Sequence, residues 1–242
     1  MCGAYYFLTI VDDASRGVWV FLMKEKREVA HLLQSFVTLV QNQFNKNVKV
    51  IRSDNGLEFK TSILLKFYSE HGILHQTSCV DTPQQNGRVE RKHRHILNVA
   101  RALRFQAHLP IEFWGECILT AVFLINRTPS MLLGGKTPYE ILYGITPNFD
   151  SIKVFGCLCY AQQRPRSKDK FAPRGRKCVF VGYPYGKKGW KLFDLESKEI
   201  FISRDVVFYE NEIPFLDATR VETTPTTSLQ NLFLDPGAQP DM

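Results

Sequence analysis

The sequence predicts an α/β layer followed by a small β-barrel, and three observations carry that expectation. In the first half of the chain, short segments dense in β-branched and aromatic residues alternate with stretches of helical periodicity, as strands packed under helices do. Past a Gly/Pro-punctuated connector over 134–150 the helical period disappears, and short apolar runs separated by turn formers take its place. With 44% hydrophobic and 12% aromatic residues over 242 positions, the chain has enough apolar surface to bury two cores. The expected division is a core domain at 1–148, a barrel at 153–212 and a flexible tail or linker at 213–242, where Thr-Thr-Pro-Thr-Thr and Pro-Gly stand among few large apolar groups.

The elements follow in order. Tyr5 to Val11 and Val18 to Met23 are rich in Val, Ile, Leu, Tyr, Phe and Trp and flank the turn formers of residues 12–17, which predicts a β-hairpin. Val29, Leu32, Leu33, Phe36, Val37, Val40 and Phe44 fall on one stripe of a helix. Val48 to Arg52 is a short strand ending at Asp54-Asn55-Gly56. Thr61 to His71 is helical with Gly72 as its stop, and Ile73 to Thr77 is a further strand. Residues 79–86 are polar and rich in turn formers, a loop leading into a helix from Gly87 to Phe105. Ile111 to Asn126 is apolar on almost every side, so that helix is expected to be buried or covered by a partner, with Pro129 ending it. Val154 to Ala161, Lys177 to Tyr183, Trp190 to Leu195 and Ile200 to Tyr209 are the expected barrel strands.

The formal net charge is +7, unevenly spread: Lys and Arg exceed Asp and Glu by four over 1–152 and by six over 153–212, whereas acids exceed bases by three over 213–242. Such a basic field favours polyanions, and nucleic acid is the leading partner on charge alone. The six cysteines form no C-x-x-C pair and have no histidine at zinc-finger spacing, so neither a zinc knuckle nor a disulfide framework is expected. Cys157 and Cys159 are two apart in an expected strand and share a face as small buried hydrophobes, in keeping with a reducing compartment. No apolar run reaches the ~20 residues of a membrane helix. A soluble protein of the nucleus or cytoplasm is therefore expected, with no membrane partner.

Two carboxylates stand out. Asp54 closes a strand, and Glu90 lies one turn into a helix otherwise crowded with Arg88, Arg91, Lys92, Arg94, Arg101 and Arg104; 35 residues separate the two acids. Carboxylate oxygens suit hard divalent ions such as Mg²⁺ or Mn²⁺, and two such ions ~3.5–4 Å apart stabilise the attacking and leaving oxygens of a phosphoryl displacement. Against this stands a plain structural role for each, Asp54 as a turn residue before Asn-Gly and Glu90 as a complement to a helix N-terminus.

Ser53-Asp54-Asn55-Gly56 with Phe59, the 35-residue spacing, and Thr82-Pro83-Gln84-Gln85-Asn86-Gly87-Arg88-Val89-Glu90-Arg91 resemble the second and third acidic motifs of retroviral-type integrases. Leu109-Pro110 with Phe113-Trp114, the stretch Leu124-Ile125-Asn126-Arg127-Thr128-Pro129-Ser130, Thr137-Pro138-Tyr139-Glu140 and Val154-Phe155-Gly156-Cys157 resemble the copia-type retrotransposon branch. The likeness runs from residue 4 to about 215. It implies a ribonuclease H-like core, with a mixed sheet flanked by helices, followed by an SH3-like barrel. It implies DNA integration: metal-dependent trimming of the element's double-stranded DNA ends, then attack of the freed 3′-hydroxyl on chromosomal DNA by a homo-oligomer. Asp54 and Glu90 become catalytic metal ligands, with Mg²⁺ or Mn²⁺ as cofactor.

The family's first carboxylate belongs to an upstream Asp-x-Trp-Gly-Pro-like strand, and no counterpart precedes the segment matched by Tyr5-Tyr6-Phe7-Leu8-Thr9. Asp12 and Asp13 match a turn motif instead, and a truncated copy is the expectation. Such a chain is expected to bind DNA and one metal ion but to transfer few strands alone, which leaves its status as an enzyme open. Arg88, Arg91, Lys92 and Arg94 near Glu90, with Arg94 the leading choice, are candidate phosphate contacts. So are Arg164, Arg166, Lys168 and Lys170 of the densest basic run. The alternatives are solvated charged surfaces, a non-catalytic DNA-binding or assembly module, or a ribonuclease H-like nuclease.

Overall fold

The computed structural model describes residues 3–78, 87–162 and 175–216. The hairpin forms as β1 (Tyr6–Val11) and β2 (Val18–Met23), antiparallel from Tyr6↔Met23 to Val11↔Val18. The Asp12 carboxylate organises its turn by accepting from the Ser15 amide at 2.8 Å and the Ser15 hydroxyl at 2.6 Å, the turn role expected of it. Helix α1 (Val29–Phe44) ends at Asn45, whose left-handed backbone (φ 50°) stops it. Next, β3 (Val50–Ser53) pairs in parallel with β4 (Leu74–Thr77) through α2 (Ser62–Glu70), a helix capped by Thr61. Leu8, Met23, Leu33, Val37, Leu64 and Phe67 make one buried cluster beneath α1 and α2. The strands have the expected mixed sense, but they form two separate pairs, and no described strand bridges them.

Helix α3 (Gly87–Gln106) buries Ile96 and Ala100 against α4 (Trp114–Ile125), while Arg88, Glu90, Arg91, Arg94 and Arg101 stay outside. The sequence expectation for α4 is met: eight of its twelve residues are buried. What covers it is the C-terminal sheet, because Val179, Val181 and Phe193 share a core with Phe113, Cys117, Ile118 and Ala121.

That sheet has five antiparallel strands in the order β8-β7-β6-β5-β9: β5 (Leu158–Gln162), β6 (Gly175–Gly182), β7 (Trp190–Asp194), β8 (Ile200–Ser203) and β9 (Val206–Tyr209). Three readings need correction. The stretch Ile200 to Tyr209 is two strands, broken at Arg204-Asp205, and they lie at opposite ends of the sheet order. The connector 134–150 contains a helix, α5 (Pro138–Tyr143), started by a capping box between Thr137 and Glu140 with Pro138 in its first turn. The tail expected from 213 onward begins as packed structure, since Phe215 lies against Phe113 and Phe193. Cys157, Cys159 and Cys178 are buried free thiols, and burial pushes Cys157 up to about 12, so they act as small apolar groups. No helix among the described residues is long and apolar enough to cross a membrane.

Candidate metal and nucleic-acid site

Asp54 follows the last residue of β3 because the strand must stop there: Ser53 is buried, and its hydroxyl donates to the Asp54 carbonyl at 2.9 Å. The His75 Nε2 lies 2.9 Å from the same hydroxyl, within hydrogen-bond distance, and so ties this strand end to β4. Burial, then Lys60, lowers the pKa of His75. The Asp54 side chain is exposed and accepts from the Gly56 amide at 3.0 Å. Asn55 donates to the Ser78 carbonyl at 2.8 Å, which ties the Asp54 turn to the end of β4.

Glu90 is exposed on the first turn of α3, among Arg88, Arg91 and Arg94, all exposed, and Lys92, half-buried. Its carboxylate makes no ion pair among the described residues. Arg88 instead pairs with Asp13 on the β1–β2 turn, which Arg16 also reaches at 3.1 Å. The rotation of α3 is fixed from the other side by His93. Its ring lies flat on Phe7 (centroids 4.5 Å apart, 3° between planes), and Nδ1 is 3.1 Å from the Thr9 hydroxyl. Phe7 and Thr9 alternate along β1 and therefore share a face. Among the described residues no three His, Cys, Asp or Glu side chains gather into a metal-binding group. Arg164, Arg166, Lys168 and Lys170 lie outside the described residues, as does the 79–86 loop with the Thr82 to Asn86 part of the motif.

Residues 2–83 match the integrase core domain, and residues 157–221 match the retroviral polymerase SH3-like domain. The chain carries an integrase core joined to an SH3-like domain. Its relatives are copia-type Pol polyproteins of plant transposons. It is 39% identical over 87% of its length to the retrovirus-related Pol polyprotein from transposon RE1 of Arabidopsis thaliana, and 38% identical over 88% to that from transposon TNT 1-94 of Nicotiana tabacum. It spans 14% and 16% of those two polyproteins. A structure of the HTLV-2 integrase catalytic core domain in complex with magnesium superposes on 55% of this chain and 81% of that one, with 25% identity and a TM-score of 0.42.

Asp54 falls inside the stretch that matches the integrase core domain, and Glu90 lies beyond it. Sequence reasoning missed the work of His75 and His93 in holding the Asp54 strand end and seating α3. Each partnership spans 22 or 84 residues, so no local pattern announces it. The pairing of Asp13 with Arg88 was equally hidden, for the same reason.

Proposed function

We propose that this integrase core acts on DNA with Asp54 and Glu90 as ligands of a shared Mg²⁺ or Mn²⁺ ion, and that Arg91, Lys92 and Arg94 hold the DNA backbone beside it. The observation that carries the reading is the state of Glu90. Surrounded by cations on its own helix, it enters no ion pair among the described residues, while Arg88, on the same first turn, is engaged by Asp13. An exposed carboxylate that is not already neutralised retains the hard oxygen donors a divalent ion requires, and Asp54 is exposed likewise. When bound, the ion supplies charge stabilisation at a phosphate oxygen. The residues themselves orient: Ser53 and His75 fix the strand end that presents Asp54, and His93 fixes the helix face that presents Glu90.

Two carboxylates make a weak site, so the 242-residue chain is expected to join few DNA ends alone. In the polyprotein setting of its relatives, its role is retrotransposon DNA integration, in a homo-oligomer on double-stranded DNA. Calorimetric titration of the chain with Mn²⁺ tests the metal reading: binding should be weak and should disappear in both Asp54→Asn and Glu90→Gln. Unchanged Mn²⁺ binding in either variant would remove that residue from the site. If salt-dependent DNA binding persists where metal binding is absent, the chain is a DNA-binding module rather than a catalytic one. Robust joining of labelled ends, abolished by Glu90→Gln, would overturn the expectation of low activity.

A further inference from the structure

The turn between β1 and β2 contains an arginine where the backbone disfavours one. Arg16 has φ 62°, a left-handed conformation usually given to Gly or Asn. The turn is rigid, with the Arg16 amide bonded to the Asp12 carbonyl at 3.0 Å and the Asp12 amide to the Gly17 carbonyl at 2.9 Å. It is also anchored, because a Cβ on Gly17 would lie 2.4 Å from Leu142 Cδ1. Glycine at position 16 would satisfy this backbone better, so the arginine side chain is the feature that needs explaining.

That side chain points at a convergence of charge. The guanidinium groups of Arg16 and of Arg88, one from the turn and one from the first turn of α3, meet on the single carboxylate of Asp13, which is 74% exposed. Lys92, one helical turn beyond Arg88, is half-buried, makes no ion pair among the described residues, and has its pKa lowered by burial and then by Arg16. Two guanidinium groups thus share one exposed carboxylate, and Lys92 stands close enough to Arg16 to feel its charge. Two guanidinium forks closing on an oxyanion are the geometry that recognises a phosphate, and a DNA phosphodiester offers the same oxygens with a fixed charge.

We propose that Arg16, Arg88 and Lys92 form a subsite for a DNA backbone phosphate, and that Asp13 occupies it as an internal counter-anion that the DNA displaces. The subsite rests on the reading that α3 faces DNA, and it adds the β1–β2 turn to that surface. Asp13 sets the affinity, since every bound phosphate must first replace it.

Fluorescence anisotropy of a labelled DNA duplex with the full chain, measured against NaCl concentration, tests this. Arg16→Gly should keep the melting temperature or raise it, weaken binding, and reduce the slope of log K against log salt by about one. Asp13→Asn should tighten binding at low salt. Both variants matching the wild type, in a chain whose duplex binding still falls with Arg94→Gln, would overturn the subsite and leave the DNA reading standing. Calorimetry with inorganic pyrophosphate separates the reverse case. Pyrophosphate binding strengthened by Asp13→Asn and lost in Arg16→Gly, without duplex binding, would keep the anion subsite and remove the DNA reading. Binding of neither probe overturns both.

Discussion

Histidines 75, 93 and 95 all have their pKa lowered below 6.5, with burial the largest cause in each case. A depressed histidine pKa means that the unfolded chain takes up protons more readily than the folded one, so acid favours unfolding. The stability tied to neutral imidazole is complete above pH 6.5 and drains as the pH falls through the lowered folded values. Urea midpoints should therefore drop between pH 7.5 and pH 5.5, and His93→Gln should make that drop shallower, because the ring stacked on Phe7 is one of its sources. An equal drop in the variant would assign the effect to other groups. Asp54 was legible from sequence because a strand followed by Asp-Asn-Gly has to end. The hydrogen bond between His75 and Ser53 was not, because it exists only once β3 and β4 take up their parallel register.

Helix and strand ends show what periodicity can and cannot say. The apolar stripe of α1 appears in the sequence with its limits, whereas α5 was read as connector although Thr-Pro-Tyr-Glu is a complete helix start; six residues are too few to show a period. Ile200 to Tyr209 read as one strand because alternation continues across Arg204-Asp205, and only pairing reveals the break. The end of α4 is fixed by Asn126 rather than by Pro129. Its side-chain amide donates to the Val18 carbonyl at 2.8 Å, and its oxygen accepts from the Val18 amide at 2.9 Å, so the helix end pairs with β2 as another strand would. Asn126→Ala removes both bonds and leaves partly buried backbone groups unpaired. A loss of about 1–3 kcal/mol is expected in urea unfolding, against a few tenths for substitution at an exposed site such as Asn98. Gly156 answers to tighter geometry, with φ 84° and an added Cβ only 3.0 Å from the Ala107 Cα and closer still to its Cβ. Gly156→Ala combines backbone strain with overpacking, so it should cost several times what an exposed Gly134→Ala costs, where nothing lies within 4 Å.

The junction between α4 with its flanks and the C-terminal sheet has the character of an interior. Gly156 against Ala107 and Gly182 against Thr120 bring the two parts together at distances that leave no room for a Cβ. Phe113 packs edge-on against Phe193 and Phe123 stacks on Tyr183 at 3.6 Å, while Lys191 of β7 reaches the buried Glu116 of α4 at 2.8 Å. Composition and α4's uniform apolarity showed that something must cover that helix, but its occupant depended on contacts between residues 75 apart. This largely buried pair gives a sharp test of whether α4 and the C-terminal sheet fold as one body. Lys191→Met leaves the Glu116 carboxylate desolvated without its partner and should cost about 3–5 kcal/mol, whereas Lys191→Met with Glu116→Leu should recover most of that loss. In calorimetry the wild type should melt in one transition with equal calorimetric and van't Hoff enthalpies. If the single variant shifted only one of two separate transitions, or if the double variant were no better than the single, the shared core would not couple the domains.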